Sequence, residues 1–161
     1  MSDIRYIHNI EGTNYRMTNI QAALLYEQLN DIEYILKLKN DVYNYYKILF
    51  TKHSNNKNNV FYFLKEENNT EHSKWMFSLI ISNINYNDFE KYMNEKNIQI
   101  RPFFYDINSH LHLSNIHNKY DKLNVSNGFM LPSYPELTKI QQEYIYNCVI
   151  DYCLLNNIIN I

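Results

Sequence analysis

The longest regular pattern of apolar residues in this chain lies between residues 18 and 51. Apolar side chains recur there at spacings of three and four residues along two adjacent rows, and Lys39 alone interrupts the first row. The rows consist of Ala22, Leu25, Leu29, Ile32, Leu36, Tyr43, Tyr46 and Phe50, and of Leu24, Ile35, Leu38, Val42, Tyr45 and Leu49. Such spacing is typical of an amphipathic α-helix with a wide buried face.

A capping signal marks where this helix should begin. Thr18-Asn19-Ile20-Gln21 matches a capping box, in which the Thr hydroxyl and the Gln side chain satisfy each other's backbone N–H groups. We therefore predict one continuous helix over 18–51, about 50 Å long at 1.5 Å per residue. A helix of that length suits a connection between two domains.

The remaining pattern consists of short elements that alternate in type. Strands are predicted at Val60–Leu64, at Trp75–Ser82 (buried on both faces), at Ile98–Arg101, where Pro102 stops the strand, and in FMLP after Gly128. Helices are predicted from a cap at Asn87-Asp88 to about Asn97, around His117–Asn124, and from a second capping box at Thr138 to about Asn156. Because the strands are few and short, we expect a small α/β (α+β) fold: a mainly antiparallel sheet with helices on one face.

These elements divide the chain into a lead-in at 1–17, the long helix at 18–51 and a small C-terminal domain at 52–161. The chain has 161 residues, 45% of them hydrophobic, which is enough for one core. Its net charge of −2, from 15 basic and 17 acidic residues, argues against nucleic acid as a partner. No apolar run approaches the roughly 20 residues of a membrane span, and the first residues lack the core of a signal peptide. Cys148 and Cys153 are expected to be reduced thiols of a cytoplasmic protein.

The residues before the long helix are the strongest candidates for chemistry. Asn14 offers an amide and Arg16 a bidentate guanidinium, just ahead of a helix N-terminus that attracts anions. Gly12 would allow a tight turn or a close approach to a ligand. The alternative is that Asn14 is only a turn residue and Arg16 only a surface cation, because many helix starts carry such residues without binding anything.

A second candidate region follows the Ile98–Arg101 strand. Three histidines, His110, His112 and His117, could form a zinc set with water in the fourth position, but their spacing matches no standard motif, so loop or pocket histidines are the alternative. Arg101 with Tyr105 and Asp106 could form a polar pocket wall or serve the fold. The sequence has no G-x-S-x-G, P-loop or dinucleotide fingerprint.

Several stretches together resemble one enzyme family. "GTNYRMTNIQAALLYEQL" is similar to the G-x-N-x-R-M-T-x-[IL]-Q-A-A motif of the DegT/StrS-type sugar aminotransferases, in particular the perosamine-synthase-like members. "WMFSLII", "NIQIRPFFY" and "LPSYPELTKIQQEYI" resemble later landmarks of that family in the same order. The resemblance spans essentially the whole chain. It implies pyridoxal 5′-phosphate as cofactor and a keto-deoxy nucleotide sugar as substrate, with glutamate as the expected amino donor in polysaccharide or glycan biosynthesis.

The resemblance also implies roles for individual residues. Asn14 would reach the cofactor phosphate of the other subunit in a homodimer, with Arg16 at the edge of the same site. Arg101, Tyr105 and His110 would bind substrate, since the region from Arg101 to His110 borders the nucleotide-sugar pocket in the family. Asp106-Ile107-Asn108 stands where the family often has Pro-Leu-His, so His110 is the candidate to replace that histidine.

The family's catalytic lysine has no counterpart here. The Schiff-base lysine lies upstream of the G-x-N-x-R motif in the family, so this chain is expected to correspond to the C-terminal portion of such an enzyme, to contain no catalytic residue of its own and not to bind the cofactor covalently. A separate N-terminal half could supply the missing lysine. The alternative is a non-catalytic remnant that acts as a binding or dimerising module.

Overall fold

A computed structural model describes residues 5–52, 60–64, 66–106, 109–113 and 127–159. Its helices are α1 (Asn19–Asn30), α2 (Ile32–Thr51), α3 (Tyr86–Glu95) and α4 (Lys139–Leu155). The strands are β1 (Phe61–Phe63), β2 (Phe77–Ile81), β3 (Arg101–Pro102) and β4 (Gly128–Leu131), and a 3₁₀ turn covers Leu111–Leu113. The helix predicted around His117–Asn124 lies outside the described residues.

The prediction of one continuous helix over 18–51 is wrong at a single point. The helical backbone is interrupted at Asp31, whose φ of −104° and ψ of 11° depart from helical values. The N–H of Asp31 donates back to the carbonyls of Gln28 and Leu29, so the last turn of α1 tightens before α2 begins. Asn30 and Asp31 are both weak helix formers, because their short polar side chains compete for backbone groups, and this pair explains the break.

The sheet is small and antiparallel throughout. Its strand order is β1-β2-β4-β3, with β1 beside β2, and β4 between β2 and β3. The predicted small, mainly antiparallel sheet after a long helical segment is therefore confirmed. β2, one of the two central strands, is buried almost along its whole length, as its unbroken apolar run predicted.

Two predicted boundaries need correction. The third strand is Arg101–Pro102 instead of Ile98–Arg101, and Pro102 lies within it. A proline is tolerated there because β3 is an edge strand. The cap of α3 is Asn85, whose Oδ1 accepts from the backbone N–H groups of Asn87 and Asp88, so the two residues predicted as the cap are the ones being capped.

The core forms where α2 packs on the sheet. Phe77 of β2 lies at its centre, with ring centroids of Tyr43, Tyr46 and Phe50 at 5.1, 4.8 and 6.0 Å. Tyr46 is fully buried, and its hydroxyl donates to the carbonyl of Pro132 at 3.1 Å. This aromatic cluster joins the carboxyl-terminal half of α2 to β2 and to the segment after β4.

α3 and α4 complete the layer of helices. Phe89 of α3 packs on Phe129 of β4 at 4.7 Å and on Tyr152 of α4 at 4.9 Å. The predicted capping box at Thr138 is present, as is the one at Thr18. The buried amide of Gln142 donates to the carbonyl of Val42 at 2.8 Å, which ties α4 to α2. Both cysteines are unpaired and buried on α4, and burial raises the pKa of the Cys153 thiol to about 12.

Helix α1 has no buried residue in the described structure. Residues 22–26 are all apolar or aromatic, and five consecutive residues cover the whole circumference of an α-helix. The side chain of Leu24 is 65% exposed, and Ile20, Tyr26 and Leu29 are also exposed. An exposed apolar run of this kind is typical of a surface that contacts another protein body. Among the described helices, none combines the length and apolar character needed to cross a bilayer.

We predict that Phe77→Ala lowers the free energy of unfolding by about 3–5 kcal/mol, because it leaves a cavity among Tyr43, Tyr46 and Phe50. Urea denaturation followed by circular dichroism measures the change. Tyr62→Ala is the matched control, since Tyr62 is exposed on the neighbouring strand β1, and it should cost much less. Equal losses in the two variants would contradict the central position of Phe77.

We predict that the chain self-associates through α1, because this apolar surface is open to solvent. Sedimentation velocity should show association that grows with concentration, and the double variant Leu25→Glu with Leu29→Glu should shift it towards monomer. Ile140→Glu is the control, since Ile140 is an even more exposed apolar residue on α4. A monodisperse monomer at high concentration, or an equal effect of the Ile140 variant, would contradict the assignment.

Candidate functional site

The lead-in segment forms a tight turn just before α1. The Oδ1 of Asn14 accepts a hydrogen bond from the backbone N–H of Arg16 at 2.8 Å, and Arg16 has a φ of 69°, in the left-handed region. This turn matches the structural alternative considered for Asn14. It also has a chemical consequence, because the oxygen of the amide is engaged while its two N–H donors stay outside that bond.

Asn14 and Arg16 line one open groove along α1. Its other walls come from Met17, Gln21 and the first two turns of the helix, and its volume is about 530 Å³. Both side chains are exposed. The groove therefore presents an amide donor and a permanent guanidinium charge beside a helix N-terminus, a set of groups that suits a phosphate. No lysine lines this groove among the described residues.

Tyr105 and His110 share a second cavity, of about 550 Å³, with the lead-in segment. The N–H of His8 donates to Nδ1 of His110 at 3.2 Å, and the two rings stack at 5.6 Å. Nδ1 of His112 lies 3.2 Å from the carbonyl oxygen of His8. These contacts hold residues 8–12 against the turn at 111–113, so Tyr105 and His110 face the segment that leads into the Asn14 turn.

The backbone conformation at position 12 does not require a glycine. Its φ is not positive, and an added Cβ would meet no atom within 4 Å, so the described structure would accept another residue there. Gly12 lines the cavity of Tyr105 and His110, where the absence of a side chain keeps the backbone accessible. The left-handed position that the turn requires belongs to Arg16 instead.

The structure gives the histidines a contact with the lead-in segment. In its hydrogen bond from His8, Nδ1 of His110 is the acceptor, which places the ring proton on Nε2 in that arrangement. Across the described ranges no three His, Cys, Asp or Glu side chains are grouped so that they could hold a metal ion. His117, the third member of the zinc set considered from the sequence, lies outside these ranges.

Arg101 does not share a wall with Tyr105 and Asp106 as the sequence suggested. It lines a separate cavity of about 660 Å³, which contains neither Tyr105 nor His110. The reason is the shortness of β3, because the chain leaves the sheet after Pro102 and carries Tyr105 towards the lead-in segment. The predicted site residues thus fall into three places: Asn14 with Arg16, Tyr105 with His110, and Arg101 alone.

Sequence reasoning missed Lys39 as a candidate. Its Nζ donates to the carbonyls of Trp75 and Ser133, both at 2.5 Å, and it lines the same cavity as Arg101. Partial burial lowers the pKa of the Lys39 ammonium. The signal was visible in the sequence, since Lys39 alone interrupts the first apolar row of the helix, but its partners come from distant parts of the chain.

Comparison with known proteins agrees with this architecture. The GDP-perosamine synthase of Vibrio cholerae is 31% identical over 159 residues, which cover 92% of this chain and 41% of that protein. The GDP-perosamine synthase of Escherichia coli O157:H7 is 28% identical over 154 residues, which cover 92% of this chain and 40% of that protein. The chain thus spans about two-fifths of the length of these curated relatives.

A solved structure and a family model extend the comparison. PseC of Helicobacter pylori, an aminotransferase involved in the biosynthesis of pseudoaminic acid, matches with a TM-score of 0.66 at 16% identity, over 87% of this chain and 38% of that one. At this identity the likeness concerns the fold alone. The model of the DegT/DnrJ/EryC1/StrS aminotransferase family matches residues 1–150. The chain therefore belongs to the DegT/DnrJ/EryC1/StrS aminotransferase family.

Proposed function

We propose that this chain forms part of a pyridoxal-phosphate-dependent aminotransferase that moves an amino group, from glutamate, to a keto-deoxy nucleotide sugar. The observation that carries the proposal is the Asn14–Arg16 turn at the start of α1, which presents phosphate-binding groups on an open surface. The sugar substrate is supported by the two GDP-perosamine synthases among the relatives.

The groups at the turn fit the phosphate of the proposed cofactor. The amide N–H of Asn14 and the guanidinium of Arg16 can both donate to a dianionic phosphate, and the dipole of α1 favours negative charge at this end. The bond from the N–H of Arg16 to Oδ1 of Asn14 fixes the orientation of the amide before the phosphate arrives. Such preorganisation lowers the entropy that binding must otherwise cost.

Tyr105 and His110 are placed to bind the sugar part of the substrate. They lie in the cavity beside residues 8–12, a short distance along the chain from the Asn14 turn. A phenol and an imidazole provide a donor and an acceptor for sugar hydroxyl groups. His110 would take this role in place of the histidine that the family often carries three residues after the "RPFFY" stretch.

A complete cofactor site needs a further domain or subunit in this proposal. When bound, pyridoxal phosphate supplies the electron sink for amino transfer, and it is normally held through a lysine. The Asn14 groove has no lysine among its described lining residues, and α1 beside it exposes the apolar run at residues 22–26. Both features fit a large domain, or the facing subunit of a homodimer, that packs on α1 and completes the cofactor site. In this proposal the chain orients the phosphate and the sugar, and the groups that transfer protons belong to the large domain or the facing subunit.

The test uses a chimera in which this chain replaces the matching 41% of the Vibrio cholerae relative. Supplied with pyridoxal phosphate, ¹⁵N-glutamate and a GDP-linked 4-keto-6-deoxy sugar, it should produce the ¹⁵N-labelled amino sugar, which mass spectrometry detects. A folded, cofactor-loaded chimera that transfers no nitrogen would favour the alternative, a non-catalytic binding or dimerising module.

In the same chimera, we predict that Asn14→Ala weakens retention of the cofactor by about 1–3 kcal/mol, the range for a hydrogen bond to a charged group. Arg16→Ala should reduce turnover of the nucleotide sugar at least as much as it weakens cofactor binding. Equilibrium dialysis of the cofactor and steady-state kinetics measure the two effects. Thr13→Ala, a neighbour outside the groove lining, is the control. Unchanged affinity and kinetics in both variants would reduce this stretch to a turn before a helix cap.

A further inference from the structure

Two histidines at the Leu111–Leu113 turn hold the backbone of a single residue in the lead-in segment. The N–H of His8 donates to Nδ1 of His110 at 3.2 Å, and Nδ1 of His112 lies 3.2 Å from the carbonyl oxygen of His8. Both backbone polar groups of His8 therefore have partners more than a hundred residues away along the chain. A residue in a β-ladder is held through the same two groups, but here side chains take the place of a neighbouring strand.

The two bonds require opposite tautomers of the two rings. A backbone N–H can only donate, so Nδ1 of His110 is the acceptor and its ring proton is on Nε2. A carbonyl oxygen can only accept, so Nδ1 of His112 carries a proton. The rings of His8 and His110 also stack, with centroids 5.6 Å apart and an interplanar angle of 12°. We call these contacts of His8 with His110 and His112 the histidine clamp.

Both sides of the histidine clamp have further support from the fold. The N–H of Leu113 donates to the carbonyl of His110 at 2.9 Å, which closes the turn that carries the two histidines. On the other side, the ring of Tyr6 packs on that of Phe104 at 4.8 Å, two residues before His8. The clamp therefore joins two segments whose positions are already restricted.

The clamp fixes one end of the segment that contains the Asn14 turn. The capping box at Thr18 fixes the other end at the start of α1. A segment with both ends fixed samples fewer conformations than one that is fixed at a single end. Arg16 depends on this restriction, because its φ of 69° is left-handed, and such a conformation persists in a residue with a side chain only where the surrounding structure enforces it.

We propose that the histidine clamp positions the Asn14 turn, which makes His110 and His112 positioning residues for the phosphate-binding groups. Neither histidine lines the Asn14 groove, so their effect passes through the backbone of residues 8–16. The inference rests on the proposed function in one respect, since the phosphate is the ligand proposed for that turn. It also divides the ring of His110 between two tasks, because the clamp uses Nδ1 and leaves Nε2 to the sugar.

The first experiment determines the tautomers in the full chain. Long-range ¹H–¹⁵N correlation spectra are recorded at about pH 8, where a histidine is ordinarily neutral. They should show the proton on Nε2 in His110 and on Nδ1 in His112, and single substitutions assign the two rings. The same tautomer in both rings would overturn the clamp, because the N–H and the carbonyl of His8 cannot both be bound by identical rings.

Substitutions of His110 separate its hydrogen bond from its ring. His110→Phe keeps a ring that can stack but has no acceptor, so exchange of the His8 amide should accelerate about three- to tenfold, the effect of losing one neutral hydrogen bond. His110→Asn places an oxygen on Cγ, where Nδ1 is attached, and should restore most of the protection. His72→Phe is the matched control, because Nδ1 of His72 accepts the N–H of Lys74 in another segment. Equal exchange of the His8 amide in His110→Phe and His110→Asn would contradict the clamp.

Backbone order parameters test whether the clamp positions the turn. In the full chain, the ¹⁵N order parameters of residues 9–16 should fall towards about 0.6, the value of a flexible backbone, in His110→Phe and in His112→Leu. They should keep their original values in His110→Asn and in His72→Phe. Unchanged order at residues 9–16 in a variant whose His8 amide has lost its protection would overturn the positioning role.

The chimera separates this inference from the proposed function. There, His110→Phe and His112→Leu should weaken retention of pyridoxal phosphate about three- to tenfold, although neither residue lines the Asn14 groove, and His110→Asn should not. Loss of order at residues 9–16 in the chain supports the inference even if the chimera transfers no nitrogen. A chimera that transfers nitrogen and retains the cofactor equally in all three variants overturns the inference and leaves the proposed function standing.

Discussion

The packing of α2 against Phe77 is the contact on which the rest of the structure depends. Tyr43, Tyr46 and Phe50 surround this one ring, and together they attach only the carboxyl-terminal half of α2 to the sheet. The first turns of α2 and all of α1 consequently extend beyond the core, and apolar side chains such as Leu24, Leu29 and Tyr34 are exposed there. The described chain therefore consists of a packed domain and a helical segment whose apolar side chains are exposed.

Lys39 marks the boundary between these two parts. It lies on α2 just before the buried residues begin at Val42, and its ammonium holds the carbonyl before β2 and the one after β4. An apolar residue could not make these bonds, which explains a lysine in an otherwise apolar row. The same side chain also lines the neighbouring cavity, together with Arg101 and Trp75.

The parts of the fold that local signals determine were predicted from the sequence. The capping boxes at Thr18 and Thr138 and the apolar run of β2 each depend on a few adjacent residues, and each is present. The break at Asp31 was missed because the apolar rows continue through it, although Asn30 and Asp31 favour an interruption.

The candidate site was harder to predict because its contacts are distant along the chain. Lys39 meets carbonyls 36 and 94 residues away, and the His8–His110 contact spans 102 residues. No spacing rule could show that Arg101 and Tyr105, four residues apart, line different cavities. That separation follows from where β3 ends and where the chain turns.

We propose that the chain folds around its sheet and that a further domain or subunit packs on α1 and the Asn14 turn. Hydrogen–deuterium exchange of the amides, measured on dilute chain and on the chimera, tests it directly. In the dilute chain, α1 should exchange rapidly, because a 12-residue helix without buried side chains is marginal in water, whereas the amides of Val42 to Phe50 should be protected. In the chimera, α1 should become as protected as that half of α2. Strong protection of α1 in a dilute monomer, or no gain of protection in a folded chimera, would contradict the account.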